Sequence, residues 1–461
     1  MTDLTDLSDL DALFKAYDVR GTYPDQIDED LARRVGNAFV AFTGAGAIAV
    51  GHDMRPSSEP LSAAFIDGAT LAGADITTIG LASTDMVYFA SGYLDVPAVM
   101  FTASHNPAQY NGMKLCREGA APIGQDTGLA EIKGRVAEGL IERAPTAGRV
   151  TDRPLLDEFT EHVHSFVDID ALSPMTIVAD AANGMGGLVA PKIFEKLPVE
   201  LTMLYPELDG TFPNHPADPI NPENLVDLQR EVEKRSADIG LAFDGDADRV
   251  FLVDDRGEPL SGSLTTSIVA AGILDRVASG SGVSDDAPRP VVLHNLICSK
   301  AVPEVIAEHG GEPVRTRVGH SFIKAVMADT GAVFGGEHSG HYYFADNWRA
   351  DSGIIATMVV LEQLSRARIP LSELREPFER YADSGEINTE VADPAAVIDR
   401  IEKTFSDGTA DRLDGLTLDF GDWWFNLRPS NTEPLLRLNL EAATPGECER
   451  RTAEVLAAIR D

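Results

Sequence analysis

The sequence is short of positive charge. Lys and Arg number 38 against 74 Asp and Glu, so the formal net charge is -36 at pH 7. A field of this sign repels nucleic acid and anionic membrane surfaces, and we expect neither as a partner. If the substrate is an anion, the few basic residues must be concentrated where it binds.

Cysteine and long apolar runs are also scarce. Cys116, Cys298 and Cys448 lie far apart and follow no disulfide or zinc spacing, which fits a reducing compartment. The opening residues, MTDLTDLSDLDALF, are acidic and do not resemble a signal peptide. No apolar run approaches the ~20 residues of a membrane span. We therefore expect a cytoplasmic protein, and the sequence does not choose between a monomer and a homodimer.

A weak internal repeat organises most of the 461 residues. Three parts of the chain each read as a short apolar strand, a helical stretch, a second strand and a third strand that ends in a polar turn. The first strands are predicted at 47–51, 176–180 and 291–295, and the third strands at 96–101, 239–243 and 332–334. Strands that alternate with helices favour α/β sheets, whose ligands bind beyond the carboxyl ends of the strands.

The last part of the chain reads differently, as a strand, a helix, three strands and a final helix. We predict three similar α/β domains with mixed sheets and a C-terminal α+β domain, arranged around a central active-site cleft. The predicted domains are residues 1–150, 151–258, 259–370 and 371–461.

The stretch AFDGDADRV places three aspartates and an arginine in one turn between two apolar runs. In an extended segment, alternate side chains point the same way, so Asp244, Asp246 and Asp248 would converge on a hard divalent cation. A calcium-binding EF-hand is set aside, because that loop needs Gly at its sixth position and Glu at its twelfth, where this chain has Arg249 and Asp255. An acidic surface hairpin remains an alternative.

A serine follows another of the predicted strands, in the stretch TASHNP. A serine nucleophile needs a base or a metal, and there is no G-x-S-x-G elbow. His105 invites a hydrolase triad, but a neighbour in sequence ordinarily points elsewhere. Lys114, ten residues after Ser104, could neutralise a phosphoryl group or move a proton. Ser104 and the aspartate cluster together suggest phosphoryl chemistry, with a helix N-cap as the alternative role of the serine.

The turn RPSNTEP in the last domain carries a planar cation, two hydroxyls and an amide. This set suits a phosphate, because arginine can donate two parallel charge-assisted hydrogen bonds. An ordinary turn with an exposed arginine explains the same residues.

Six stretches occur in order along the chain: FKAYDVRG, GHDMRPS, TASHNP, DGDADR, GEHSGH and RPSNTEP. Together they resemble the signatures of the α-D-phosphohexomutases, and more narrowly the bacterial phosphomannomutase/phosphoglucomutase branch. The resemblance covers nearly the whole chain and implies four domains around a central cleft. Ala247 is a departure, since many members of the family have glycine there.

The resemblance implies a role for each motif. Asp244, Asp246 and Asp248 would bind Mg²⁺, and phosphorylated Ser104 would supply a further oxygen. The implied catalytic residues, besides Ser104, are Lys114 and His341 for proton transfer and Arg20 on the phosphoserine. The implied substrate-binding residues are Arg249 near the phosphoryl group, Glu337 and Ser339 on sugar hydroxyls, Lys300 and His320 as further contacts, and Arg428, Ser430, Asn431 and Thr432 on the phosphate that is not reacting.

The family reaction moves a phosphoryl group between O1 and O6 of a hexose through a phosphoserine and a 1,6-bisphosphosugar, which also serves as activator. The glucosamine branch tends to carry glutamine at the position of His338 and glycine at that of Asn431. We therefore expect mannose phosphates as substrates, with glucose phosphates as a second pair. A phosphoglucosamine mutase, a catalytically silent sugar-phosphate-binding protein and a phosphatase remain alternatives.

Overall fold

The computed structural model describes residues 7–139, 141–280, 288–429 and 435–460, without the side chains of residues 7–9, 280, 320 and 321. The α-helices are α1 Leu7–Leu13, α2 Glu29–Thr43, α3 Ser58–Leu71, α4 Thr84–Leu94, α5 Leu129–Glu138, α6 Leu156–His164, α7 Gly186–Phe194, α8 Val226–Arg235, α9 Gly262–Gly280, α10 Ala301–Glu308, α11 His320–Thr330, α12 Gly353–Ala367, α13 Leu371–Leu374, α14 Pro394–Thr404 and α15 Pro445–Arg460.

The strands are β1 Val19–Thr22, β2 Ala47–His52, β3 Asp75–Leu81, β4 Ala98–Phe101, β5 Tyr110–Cys116, β6 Val150–Asp152, β7 Met175–Asp180, β8 Val199–Leu204, β9 Ile239–Phe243, β10 Val250–Val253, β11 Val291–Asn295, β12 Glu312–Thr316, β13 Phe334–Gly336, β14 Tyr342–Phe344, β15 Ala382–Glu390, β16 Thr409–Asp411, β17 Leu416–Asp419, β18 Trp423–Pro429 and β19 Leu435–Ala442. The chain forms two compact units. The first contains Met1–Ser261 and Ser339–Leu374, and the second contains Gly262–His338 and Arg375–Asp461.

Two sheets of the first unit follow one plan. The first sheet has the order β1-β5-β4-β2-β3-β6, and the second has the order β10-β9-β7-β8. In each, the first strand of the repeat (β2 or β7) lies parallel to and between the second and the third. The third strand then pairs antiparallel with the next strand along the chain. Because β4 and β9 occupy equivalent positions, the turns that follow them leave equivalent edges of their sheets.

The local sequence of α2 shows how an element of the first unit is fixed. The Asp28 side chain accepts a hydrogen bond from Leu31 N at its start, and Gly44 ends it with a left-handed φ of 65°. The helix buries Phe39 against Phe65 of α3, with ring centroids 5.9 Å apart. Phe65 in turn contacts Phe101 at 5.6 Å. These aromatic contacts anchor the end of β4, which carries the turn TASHNP.

In the second unit, β11 lies parallel to both β12 and β13, which repeats the plan of the first unit. The third strand is displaced from the prediction, since it covers Phe334–Gly336 and not 332–334. The reason is packing: a Cβ at Gly336 would lie 2.4 Å from the Thr266 side chain of α9. Only glycine fits this strand against the helix, so two residues that read as a turn belong to the sheet.

The C-terminal sheet of the second unit has the order β15-β19-β18-β17-β16, with every pair antiparallel. Its core combines residues of α14 and α15 with one face of the strands, which makes an α+β domain. The predicted fold class, three similar α/β domains followed by an α+β domain, is confirmed. The predicted domain boundaries and the central cleft stay predictions.

The described residues bear on two expectations from the sequence, one about the cysteines and one about membrane-spanning helices. All three cysteines are buried, and none of them forms a disulfide bond. In the described ranges, no helix combines the length and apolar character that a membrane crossing requires.

Candidate active site

The turns that follow β4 and β9 meet in the first unit. The Ser104 hydroxyl donates to Asp244 Oδ2 at 2.8 Å. The two turns approach each other closely at Gly245. A Cβ at this position would lie 2.4 Å from the main-chain oxygen of Ser104. Ser104 itself has a left-handed φ of 51°, which is costly for a residue with a Cβ. The fold therefore accepts local strain and requires a glycine in order to bring this hydroxyl to the aspartates.

The aspartates form a buried cluster. Asp244, Asp246 and Asp248 are 0%, 0% and 1% exposed, so the acidic surface hairpin is wrong. One carboxylate oxygen from each lies within 4.8 Å of the others. They converge through a turn and not through an extended segment, since Ala247 between them has a left-handed φ of 57°. Glycine would adopt this conformation more readily, and alanine there keeps the three carboxylates together.

Lys114 on β5 forms ion pairs with two of the three carboxylates. Its Nζ lies 2.7 Å from Asp246 Oδ2 and 2.7 Å from Asp248 Oδ2. Burial disfavours the ammonium, but the two carboxylates outweigh it and raise the pKa of Lys114 well above its usual value. Burial likewise acts to raise the pKa of Asp246, yet Lys114 keeps it far below the usual range. Thr84 adds a 2.5 Å hydrogen bond to Asp246 Oδ2.

Arg249 links the third carboxylate to the serine. Its Nε and Nη2 donate to Asp244 Oδ2 at 3.0 and 2.8 Å, and Nη2 also lies 3.2 Å from Ser104 Oγ. Burial opposes this cation too, but the nearby aspartates raise the pKa of Arg249. The pKa of Asp244 is raised to about 7, chiefly by burial and then by Asp246 and Asp248, against the effect of Arg249. The two hydrogen bonds from Arg249 therefore do not offset the burial of Asp244.

His105 lies closer to the serine than we expected. Its Nδ1 is 3.3 Å from Ser104 Oγ and also accepts a short hydrogen bond from Arg249 Nη2. Side chains alternate along a strand, but the left-handed backbone of Ser104 interrupts this alternation and turns both residues to one side. Burial, Arg249 and Arg20 lower the pKa of His105 to about 2, so the ring is neutral. Because its Nδ1 accepts from Arg249, the ring does not act as a base toward Ser104.

Two further predicted catalytic residues lie around this cluster. Arg20 Nη1 donates to Asn106 Oδ1 at 2.6 Å and to the main-chain oxygen of Ala103 at 3.3 Å, so it contacts the serine turn on both sides of Ser104. His341 Nδ1 lies 2.8 Å from Asp351 Oδ2, and one carboxylate oxygen of Asp248 falls within 4.8 Å of that pair. Burial opposes protonation of His341, but the Asp351 contact raises its pKa. Ser339, also in the first unit, is half-buried.

The cluster suits a divalent cation. Asp246 Oδ1 and Asp248 Oδ1 are buried and have no hydrogen-bond partner among the residues that the structure describes. A buried carboxylate oxygen without a partner is costly, and a hard cation satisfies several such oxygens together. Lys114 occupies the other oxygen of each carboxylate, so it leaves these two available.

The remaining predicted substrate-binding residues belong to the second unit. Glu337 is 1% exposed, and its Oε1 accepts from Asn295 Nδ2 and Gly319 N, both at 3.1 Å. Lys300 Nζ donates to Asp419 Oδ1 at 2.7 Å and to the main-chain oxygen of Gly421 at 2.8 Å.

Within the RPSNTEP turn, the structure describes Arg428 and Pro429. Arg428 is buried, and its Nη2 donates to Glu386 Oε2 at 2.6 Å. Its Nη1 has no hydrogen-bond partner within the described ranges. Ser430, Asn431 and Thr432 lie outside the described residues, as does the side chain of His320.

Known proteins resemble this chain over nearly its whole length. Four domains of the phosphoglucomutase/phosphomannomutase family match the chain in order. The alpha/beta/alpha domains I, II and III match residues 11–140, 157–257 and 267–381, and the C-terminal domain matches residues 386–458. The chain belongs to the α-D-phosphohexomutase family. It is accordingly a phosphohexomutase, an enzyme of the isomerase class.

Individual relatives agree with this family. A protein of Xanthomonas campestris named "Phosphohexose mutases" is 40% identical over 97% of this chain and 99% of its own length. A Salmonella typhimurium protein named "Phosphomannomutase" is 38% identical over 97% of this chain and 98% of its own. A crystal structure of a phosphoglucomutase/phosphomannomutase family protein from Burkholderia thailandensis has a TM-score of 0.87 at 30% identity, and covers 97% of this chain and 98% of its own.

Sequence reasoning missed three side chains of this candidate site. Thr84 donates to Asp246, Asp351 contacts His341, and His105 contacts both Ser104 and Arg249. No local pattern marks Thr84 or Asp351, because each meets its partner only through the tertiary fold. His105 stood in a quoted motif and was dismissed on the assumption of regular alternation.

Proposed function

We propose that this phosphohexomutase interconverts mannose 1-phosphate and mannose 6-phosphate, with glucose 1-phosphate and glucose 6-phosphate as a second substrate pair. The observation that carries the proposal is the 2.8 Å contact between Ser104 Oγ and Asp244 Oδ2 inside the buried carboxylate cluster. Phosphoryl transfer needs an oxygen nucleophile, a site for a divalent cation and fixed positive charge, and Ser104, the aspartates and Arg249 supply these. The names of the relatives support the substrate class.

Asp244, Asp246 and Asp248 would hold Mg²⁺, together with an oxygen of phosphorylated Ser104. When bound, the ion would neutralise charge that develops on the transferring group. The support for this assignment is the pair of buried oxygens on Asp246 and Asp248 that have no hydrogen-bond partner among the described residues.

In the proposed reaction, phosphoserine 104 gives its phosphoryl group to the sugar. The bond between phosphorus and Ser104 Oγ breaks, and a bond forms between phosphorus and the free O6 or O1 of the hexose. The sugar hydroxyl gives its proton to His341, whose Nδ1 contacts Asp351 and whose Nε2 remains for exchange. Lys114, which its carboxylate partners keep protonated, is the candidate donor to the released serine oxygen.

The resulting 1,6-bisphosphosugar would reorient and return its other phosphoryl group to Ser104 by the reverse steps. A bisphosphosugar added in catalytic amount would serve as activator, because it phosphorylates any serine that has lost its group. Arg20 would stabilise the serine turn or its phosphoryl group, and Arg249 would lie beside the reacting phosphorus. Their support is the set of contacts to Asn106, Ala103 and Ser104.

The sugar and the phosphate that is not reacting would be bound by the residues of the other motifs. Glu337 and Ser339 would contact sugar hydroxyls, with Lys300 and His320 as further contacts. Arg428, Ser430, Asn431 and Thr432 would bind the phosphate. Arg428 supports this role, because its buried Nη1 has no hydrogen-bond partner among the described residues while Glu386 occupies Nη2.

One assay tests the proposed function. The protein is given mannose 1-phosphate, Mg²⁺ and a trace of mannose 1,6-bisphosphate, and the products are resolved. We expect mannose 6-phosphate without free phosphate. Release of free phosphate would indicate a phosphatase, and no conversion would indicate a silent binding protein. The same reaction with glucosamine 1-phosphate distinguishes the glucosamine branch.

Ser104→Ala tests the assigned nucleophile. It removes the acceptor oxygen, so turnover should fall by orders of magnitude. Ser62→Ala is the matched control, since Ser62 is a buried serine of the same domain whose hydroxyl donates only to Glu59 O of its own helix. Intact-mass and peptide mapping of the active enzyme should locate phosphate on Ser104. Phosphate on another residue alone, or full activity of Ser104→Ala, would contradict the assignment.

A further inference from the structure

Arg55 lies beneath the serine turn, in the segment between β2 and α3. It is 2% exposed and among the largest fully buried side chains of the described chain. Its Nε donates to Asp53 Oδ2 at 3.1 Å. The other four contacts of the guanidinium go to main-chain oxygens: Ser104 at 2.8 Å, Asn106 at 2.6 Å, Pro107 at 2.9 Å and Tyr110 at 3.0 Å.

These contacts use the whole donor capacity of the side chain. A guanidinium has five N–H groups in a rigid planar fork, and Arg55 has five acceptors. No donor remains for a substrate group, so Arg55 does not itself bind phosphate. A lysine could not reproduce the contacts, because an ammonium has three donors and no fork.

The side chain is itself fixed from two directions. Asp53 Oδ1 accepts from Arg55 N at 2.9 Å and from the Ser58 hydroxyl at 2.5 Å, so the carboxylate that orients the guanidinium is anchored to the start of α3. The ring of Phe212 lies 5.1 Å from the guanidinium carbon. A cation on an aromatic face and against a carboxylate has little freedom to rotate.

The turn needs such a partner. Arg55 binds four carbonyl oxygens within seven residues, and the main-chain hydrogen bonds of the turn include Asn106 N to Ala103 O and Tyr110 N to Pro107 O, both at 3.0 Å. Ser104 has a left-handed φ of 51°, a conformation that a residue with a Cβ adopts only when its surroundings impose it. Arg55 contacts the carbonyl of Ser104 itself and three carbonyls that follow it, so it holds the backbone on the C-terminal side of this residue.

We propose that Arg55 is a positioning residue for phosphoryl transfer: by binding four carbonyls of the serine turn, it fixes the backbone that carries the Ser104 hydroxyl against Asp244 and Arg249. The inference rests on the proposed function, in which Ser104 carries the phosphoryl group. It goes beyond that function because Arg55 contacts neither the reacting oxygen nor the carboxylate cluster directly.

The test compares Arg55→Lys and Arg55→Ala with the wild type in kcat, in KM for mannose 1-phosphate and in hydrogen–deuterium exchange. Misplacement of a reacting group by about 1 Å can cost ~100-fold in rate, so we expect a kcat loss of about that size. KM should change little, because other residues bind the substrate. Peptides that cover residues 103–110 should exchange faster, while peptides from α2 and α3 keep wild-type rates.

Guanidinium ion at a concentration that does not denature the protein supplies a second readout. It should enter the space left in Arg55→Ala and restore part of kcat, whereas sodium chloride at equal ionic strength should not. Arg55→Lys should respond to neither, because its side chain still fills the space. Because guanidinium ion weakens folding in general, such a rescue would tie the loss of kcat to the missing donors at this position and not to a general loss of stability.

Asn37→Ala is the matched control for destabilisation of the same domain. Asn37 is 1% exposed and donates to the main-chain oxygens of Gly68 and Glu142, at 3.0 and 2.9 Å, neither of which belongs to the serine turn. Its loss should lower thermal stability and leave kcat and the exchange of residues 103–110 unchanged.

Wild-type kcat in Arg55→Lys, or unchanged exchange of residues 103–110 in both Arg55 variants, would overturn the inference. An equal loss of kcat in Asn37→Ala would also overturn it, since the effect would then follow stability alone. If Arg55→Ala does not fold, Arg55→Lys decides. If the wild-type protein shows no mutase activity, the proposed function fails, and the exchange comparison still decides whether Arg55 fixes the turn.

Discussion

Replacement of Lys114 by methionine should show how far the stability of the carboxylate cluster depends on the positive charge of Lys114. Methionine keeps an unbranched chain of similar length and removes the ammonium. In the wild type, Asp244, Asp246 and Asp248 face two cations, Lys114 and Arg249. At pH 8 this leaves one uncompensated negative charge when all three carboxyls are ionised, and the variant has two.

The cost can be worked out from the contacts. Lys114 lies 2.7 Å from two carboxylates that are 0% and 1% exposed, while its own side chain is 11% exposed. Removal of one partner from a buried ion pair costs about 3–5 kcal/mol. Arg249 lies 3.9 Å from Asp248 Oδ1 and offsets part of this, so we expect a loss of about 3 kcal/mol in metal-free protein. That corresponds to a melting temperature about 6–12 °C lower.

Mg²⁺ should reverse the loss. The variant site is more negative, so it should bind Mg²⁺ more tightly than the wild type. At a Mg²⁺ concentration 100 times Kd, binding stabilises the fold by about 2.7 kcal/mol, close to the loss itself. Turnover should nevertheless fall, because the proposed proton donor is gone. Tighter metal binding with weaker catalysis is a combination that simple damage to the site does not produce.

Thermal unfolding of both proteins, with EDTA and over a Mg²⁺ titration, measures the effect. Lys133→Met is the control, because Lys133 contacts Asp11 in a pair whose carboxylate side is 62% exposed. It should melt like the wild type in both conditions. The reasoning is refuted if Lys114→Met melts at the wild-type temperature without Mg²⁺, or if Mg²⁺ raises its melting temperature no more than that of the wild type.

Three further predictions concern single side chains. Asp246→Asn should weaken Mg²⁺ binding by at least ~10-fold, and full activity at limiting Mg²⁺ would reduce the cluster to a structural role. Arg428→Ala should weaken binding of hexose phosphate by about 2 kcal/mol, or ~30-fold, and Arg428→Lys should recover only part of it; wild-type kinetics in both variants would move the phosphate site elsewhere. Burial raises the pKa of Asp85 to about 7, against donated hydrogen bonds from Ser352 and Ser83. A raised carboxyl pKa means that the folded state binds the proton more tightly, so this contribution to stability is present at low pH and is lost as pH rises through 7. In metal-free protein, Asp85→Asn should therefore gain about 2 kcal/mol relative to the wild type between pH 5.5 and 7, and parallel pH profiles in chemical denaturation would contradict this.

The local pattern of the sequence determined the secondary structure and its repeat. Apolar runs with helical stretches between them predicted β2, β7 and β11 within two residues of their observed bounds, because burial on both faces of a strand demands such runs. The exception is β13, in which Gly336 packs directly against the Thr266 side chain of α9. Glycine occurs both in turns and where a strand packs closely against a helix, so the neighbouring sequence does not distinguish the two cases.

The same limit applies to the site. The motifs predicted the chemistry of Ser104 and the aspartates, because the residue types needed for phosphoryl transfer lie together in short turns. The partners of these residues were decided by the fold: Lys114 lies 132 and 134 positions from Asp246 and Asp248, and Arg55 lies 49 positions from Ser104. The strand order β5-β4-β2 sets Lys114, the serine turn and Arg55 side by side at one region of the first sheet. Sequence carries no signal for such pairs, since hydrogen bonds and ion pairs depend on distances in space that only the assembled sheets create.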